Sequence, residues 1–168
     1  LAEIAIDNDD NDLALNYLAD ISPDSDSYLE SLLVSADLYQ TEGELEVTGQ
    51  KLREAYRLAP DEPAVIFALA EYYYLIGQFD HAIPYYFTLI KTGNRTFDKV
   101  DIAGRLGMSY AQSGQYKTAL GYLKQVEPEY QTSDVRFQTG LTQLALKQYD
   151  EAKETLTSLI KDDKSYTS

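Results

Sequence analysis

The chain contains no cysteine. Disulfides and thiolate metal sites are therefore excluded, and a reducing cytoplasm suits such a sequence. There is one histidine, His81. With no cysteine and no second histidine to assist it, a metal or catalytic role for His81 has little to build on. It falls early in an expected helix, on an exposed face. No apolar run approaches the roughly 18 residues that a membrane-spanning helix needs. Basic residues are scarce: 14 against 28 acidic, for a net charge of −14. The imbalance is local. Residues 1–62 carry 16 acidic and 3 basic side chains, whereas residues 63–168 carry 12 and 11. An acidic first third repels phosphate backbones, which argues against direct nucleic-acid binding. It favours solubility and is suited to steer a basic partner segment.

The usual signatures of chemistry are also missing. Neither G-x-G-x-x-G nor G-x-x-x-x-G-K occurs, so no phosphate cradle is encoded. The run Asp7–Asp12, DNDDND, starts like a calcium loop. Such a loop needs glycine at its sixth position and glutamate at its twelfth. Here those positions hold Asp12 and Leu18. The run reads better as a turn that caps the helix after it. Carboxylates are plentiful, but nothing marks a pair for acid–base work. The expectation is a protein that is not an enzyme and needs no cofactor.

What the chain does have is a folding composition and many tyrosines. Of its 168 residues, 44 % are hydrophobic and 25 % charged, the balance of a folded domain of ordinary size. Aromatic residues concentrate in Glu71–Phe87, EYYYLIGQFDHAIPYYF, which holds five tyrosines and two phenylalanines. Their meaning depends on a repeat. Ala70, Tyr73, Gly77, Phe79, Ala82 and Tyr86 share one set of spacings with Gly107, Tyr110, Gly114, Tyr116, Ala119 and Leu123. The same spacings recur from Ala36 (Tyr39, Gly43, Leu45, Thr48, Leu52) and from Gly140 (Gln143, Lys147, Tyr149, Ala152, Leu156). The four starts are separated by 34, 37 and 33 residues. Within each copy, apolar residues three and four apart predict two helices. The glycine between them ends the first, where a left-handed residue costs little. Neither helix can bury its stripe alone, so neighbouring copies must stack.

This pattern resembles the tetratricopeptide repeat, whose period is about 34 residues and whose signature runs L-G-x2-Y, then A-x3-F, then P. Leu106-Gly107-x2-Tyr110, Ala119-x3-Leu123, Ala82-x3-Tyr86 and Ala55 with Pro60 carry the match, which covers nearly the whole chain. The resemblance implies an all-α fold of helix-turn-helix repeats stacked in a right-handed superhelical solenoid. It implies one array over 1–168: a partial first repeat (1–28), then 29–62, 63–99 with three extra residues, 100–132, and 133–166. Ala14, Leu18 and Ile21 fit the second helix of the partial repeat, whose first helix is expected to begin upstream of Leu1. The extra residues predict a hinge, or a change in superhelical pitch, at Thr92–Lys99. Pro84, inside a helix, predicts a local bend or an unpaired Asp80 carbonyl rather than a break. Thr48 and Gln143 depart from the pattern and predict looser packing.

Tyr73, Phe79 and Tyr86 fall on core positions, and Tyr72 is expected to fill a gap between repeats. In this family one face of each first helix lines the concave groove. Carried across, that face supplies Leu33, Asp37, Phe67, Glu71, Tyr74, Arg105, Met108, Phe137 and Leu141 as candidate partner-binding residues. An aromatic, apolar groove with carboxylates in its first half suits a protein or peptide segment that is basic or amphipathic. A carboxylate clamp is disfavoured, because Leu33, Phe67, Gly104, Phe137, Asp37, Glu71, Met108 and Leu141 occupy the places where clamping relatives have Lys or Asn. The resemblance thus implies a bacterial, cytoplasmic interaction scaffold. An alternative is the peptide-sensing part of a regulator whose output domain lies elsewhere, and open array ends offer surfaces for self-association.

Overall fold

A computed structural model describes residues 1–92, 99–126 and 131–162. Ten helices and no strand occur among them: α1 (Ala2–Asp7), α2 (Asn11–Ala19), α3 (Tyr28–Thr41), α4 (Leu45–Leu58), α5 (Pro63–Leu75), α6 (Phe79–Thr92), α7 (Lys99–Gln112), α8 (Tyr116–Leu123), α9 (Ser133–Ala145) and α10 (Tyr149–Asp162). The chain divides into two compact units, Leu1–Ile76 and Gly77–Ser168. In the first, each helix packs on the next, from α1 through α5. In the second, α6 packs on α7, α7 on α8, α8 on α9 and α9 on α10, with α7 also touching α9.

The turns that join paired helices follow one design. Gly43, Gly77 and Gly114 have φ of +81°, +72° and +76°, the left-handed region that glycine enters without cost. Asp9 and Lys147 hold the same conformation at φ 58° and 61°. All five lie on the period read from the sequence. At four of them the next residue donates its N–H to the carbonyl five residues back. Glu44 bonds to Tyr39 at 2.8 Å, and Asp10 to Ala5, Gln115 to Tyr110 and Gln148 to Gln143 at 2.9 Å each. This bond satisfies a carbonyl that the helix end would otherwise leave open. Lys147 makes the turn without glycine, at a cost of about 1 kcal/mol or somewhat more.

The helix starts are set locally as well. Asp10 caps α2, its side chain accepting from the Leu13 N–H at 3.1 Å, so the DNDDND run is the turn and cap that its pattern suggested. Pro63 opens α5, where a missing N–H leaves nothing unsatisfied. Thr132 caps α9 through the Val135 N–H. Pro84 sits inside α6, which continues to Thr92 without a break. The hinge expected at Thr92–Lys99 falls largely on 93–98, outside the described residues.

Packing explains the small residues. A β-carbon added to Gly107 would stand 2.8 Å from Leu123 Cγ, and one added to Gly140 2.6 Å from Leu156 Cγ. Bare backbone at these points lets α7 approach α8, and α9 approach α10. Ala82, Ala119 and Ala152, one in each second helix of this unit, are fully buried. Each buried leucine here, such as Leu106 or Leu123, contributes about 1.5–3 kcal/mol.

Three expectations are refined. Thr48 is buried, and its hydroxyl donates to the Glu44 carbonyl at 3.1 Å within its own helix. Gln143 is buried too, but its Oε1 has no hydrogen-bond partner. Among the aromatic residues, Tyr86 is fully buried, whereas Tyr73 and Phe79 are only half-buried. Tyr72 goes deeper than Tyr73. Its ring end lies directly over Gly49 of α4, so it does fill a gap, and glycine supplies the room.

Candidate functional site

The first unit contains a cavity of about 320 Å³ between α3, α4 and α5. Leu33 and Asp37 come to it from α3, and Phe67 and Glu71 from α5. Phe67 follows Leu33, and Glu71 follows Asp37, by one 34-residue period, so equivalent faces of successive first helices meet here. Ala36, Gln40 and Ala68 complete the walls, and Thr48 and Leu52 of α4 form part of the lining. Reading first-helix faces alone misses Thr48 and Leu52, because they belong to a second helix. Their signal was present: both occupy fixed positions of the repeat, facing the first helix. Phe67 is half-buried, and Asp37 is exposed. The charged residues of the lining are the two carboxylates, Asp37 and Glu71. Tyr74, half-buried on α5, is not part of this lining.

The second unit treats its candidates differently. Arg105 and Met108 of α7 line a smaller cavity, about 140 Å³, with Thr132, Asp134 and Val135 at the start of α9. Gly104 faces the same neighbourhood, where an added β-carbon would stand 3.3 Å from Val135 Cγ2. One base and one acid line this space, so its field is mixed. Phe137 and Leu141 stand elsewhere on α9. They are exposed by 42 % and 38 %, and Leu144 by 41 %. Spacings of four and three put these three side chains on one helix face, an apolar stripe open to solvent.

The charge segregation is sharper by structural unit than by thirds of the sequence. Leu1–Ile76 holds 17 acidic and 3 basic residues, whereas Gly77–Ser168 holds 11 of each. The whole net charge of −14 thus resides in the first unit. Its three bases, Lys51, Arg53 and Arg57, are all on α4.

Titration is perturbed at two tyrosines. Tyr28 donates to Glu54 Oε1 at 2.7 Å, and that bond to a carboxylate raises its phenol above the ordinary value. Tyr110 stacks on Tyr122, ring centroids 5.5 Å apart, and burial raises its phenol, with Tyr122 adding to the effect. Both are structural contacts between paired helices. Among the described residues no cluster of three or more His, Asp or Glu side chains could hold a metal ion, and no helix is long and apolar enough to cross a membrane.

Comparison with known proteins gives a consistent family picture. A family described as YpiA-like tetratricopeptide repeats matches residues 40–94, and a tetratricopeptide repeat family matches residues 134–165. The TPR repeat-containing protein YpiA of Bacillus subtilis (strain 168) is 35 % identical over 174 residues, covering 99 % of this chain. The chain spans 39 % of that relative's length. Among solved structures, MamA (41-end) from Desulfovibrio magneticus RS-1 superposes with a TM-score of 0.83 at 15 % identity, covering 99 % of this chain and 93 % of that one. A putative kinesin light chain with nearly identical TPR-like repeats, from Podosopora anserina, gives 0.72 at 18 % identity, covering 95 % and 90 %. At these identities the structural likeness speaks to the fold, which is all-α and built of tetratricopeptide repeats, and the curated relative agrees with the bacterial repeat style.

Proposed function

Because the chain belongs to the tetratricopeptide repeat family, we propose that it is a non-enzymatic scaffold in the cytoplasm that holds a peptide or protein segment against its first-helix faces. The observation that carries this reading is the cavity where Leu33, Asp37, Phe67 and Glu71 come together. Phe67 supplies the aromatic anchor, and Leu33 and Leu52 the apolar contact area. Asp37 and Glu71 fix the register of a bound segment and favour a basic group beside its apolar residues. In the second unit, Arg105 and Met108 at their own cavity and the Phe137–Leu141 face of α9 are the corresponding contact residues. The five-repeat division, with its partial first repeat, is part of the same proposal.

The test is a capture experiment from the cytosol of the source bacterium. The chain is compared with a Phe67→Ala, Glu71→Lys variant shown to melt unchanged. Loss of an aromatic anchor typically costs about 2 kcal/mol or more, some 30-fold in affinity. A partner held by the native chain and lost with the variant supports the reading. A partner held equally by both moves the site away from this cavity.

A further inference from the structure

The cavity between α3, α4 and α5 is built in tiers. Its walls come from residues 33–71, with further helices before and after them in the chain. Leu33 and Asp37 are four residues apart on α3, and Phe67 and Glu71 are four apart on α5. Four residues make about one helical turn, a rise of roughly 6 Å. Each helix thus supplies an apolar side chain and, one turn along, a carboxylate. Thr48 and Leu52 of α4, both buried, complete the floor. The Thr48 hydroxyl donates to the Glu44 carbonyl, so its hydrogen is not offered to the cavity. Half-buried Gln40 adds an amide one turn past Asp37. At about 320 Å³ the space is at the small end of ligand clefts, about 300–1,000 Å³, and has room for a side chain rather than for a whole helix.

We propose that this cavity takes one arginine side chain of the bound segment and prefers it to lysine. The inference rests on reading the chain as a protein-binding module, and it names the partner's anchor residue. The methylene stem of a long cationic side chain lies on Leu33 and Phe67, and its head reaches the carboxylates one turn away. Asp37 and Glu71 belong to different helices, so the head must present donors on more than one edge. A guanidinium carries five N–H donors in a rigid plane and can serve both carboxylates. An ammonium is a compact, strongly hydrated charge with no such fork. The flat guanidinium also stacks on an aromatic face, which Phe67 provides. A carboxylate has about four acceptor sites, so Glu71 can receive the guest beside any contact it makes within the chain. An apolar side chain would cover the same floor but strip water from two carboxylates without pairing them. The field of the unit acts in the same direction: its net charge of −14 draws a cationic segment in and repels a second copy.

The test titrates the isotope-labelled chain with three capped tripeptides, acetyl-Leu-X-Leu-amide, where X is arginine, lysine or norleucine. Amide and Phe67 ring shifts are read by nuclear magnetic resonance. The arginine peptide is expected to saturate with a Kd of about 1 mM or tighter, to shift residues of α3, α4 and α5, and to bind about fivefold or more tightly than either control. Asp37→Asn and Glu71→Gln are each expected to weaken it about fivefold or more. Phe67→Leu, which keeps an apolar side chain but removes the aromatic face, is expected to erase most of the preference for arginine while leaving the lysine peptide nearly unchanged. Equal binding of the lysine peptide would reduce the site to an acidic surface and overturn the inference. Equal binding of the norleucine peptide would make the anchor apolar and overturn it too, as would shifts confined to other helices or no saturation by the arginine peptide. Any of these results, with a cytosolic partner still lost from the Phe67→Ala, Glu71→Lys variant, removes the arginine anchor alone. The same results with a partner held equally by that variant remove the proposed function as well.

Discussion

Replacing Gly49 by alanine sets two effects of similar size against each other. In an open helix the change gains about 0.5–1 kcal/mol, because glycine loses more backbone freedom on folding. Here a β-carbon would sit 2.6 Å from Tyr72 Cζ, closer still to its hydroxyl, and 2.9 Å from Arg53 Nη1. Arg53 is exposed and can swing away. Tyr72 is only 6 % exposed and lies edge-on against Tyr73, centroids 5.4 Å apart, so its ring has little room. Overpacking of this kind costs about 1–3 kcal/mol. The net expectation for Gly49→Ala is a loss of about 1–2 kcal/mol, or a few degrees in melting temperature. In a Tyr72→Leu background the obstacle is gone, and the same substitution should become stabilising by up to about 1 kcal/mol. A double-mutant cycle by urea unfolding should therefore give a coupling of about 2–3 kcal/mol, near the upper end for contacting residues. Stabilisation by Gly49→Ala in the native background, or additivity of the two changes, would refute the account of how α4 and α5 pack.

Other perturbations are simpler. Lys147→Gly relieves a left-handed residue and should stabilise by about 0.5–1 kcal/mol once the entropy of glycine is counted, read as a rise in urea midpoint with unchanged slope. Gln143→Leu removes a buried oxygen without a partner and should gain about 1 kcal/mol or more by the same assay. Tyr28 should titrate above its ordinary value in an ultraviolet difference titration, and Glu54→Gln should move it back toward that value. The sign follows from a raised phenol. Its contribution to stability is fully present below the unfolded value near 10.0 and is lost as pH rises through the folded one.

Much of the fold was legible because the repeat is written in residues with few alternatives. Left-handed turns at Gly43, Gly77 and Gly114 and small residues at Gly107, Ala119 and Gly140 recur at one period, and each answers a steric demand. Where residue type changed but geometry did not, the period still located the turn: Asp9 and Lys147 hold it without glycine. The pairing of Tyr72 with Gly49 was half visible. The tyrosine was conspicuous, but its partner lies at a position that the repeat leaves open, and only packing reveals it. The Leu33–Glu71 cavity was reachable by carrying one helix face across a period, whereas the α4 part of its lining required side-chain positions. Division into two units left no mark on periodicity, since Gly77 holds the same left-handed conformation as Gly43 and Gly114.

The measurement that tests the central claim most directly is site-specific photo-cross-linking in living cells of the source bacterium. A photoreactive residue replaces Phe67, which lines the first-unit cavity, or Phe87, exposed by 44 % on α6, a second helix. The account predicts a discrete adduct with a partner polypeptide from position 67 and none from position 87. Adducts from position 87 alone, or the same adducts from both, would contradict it.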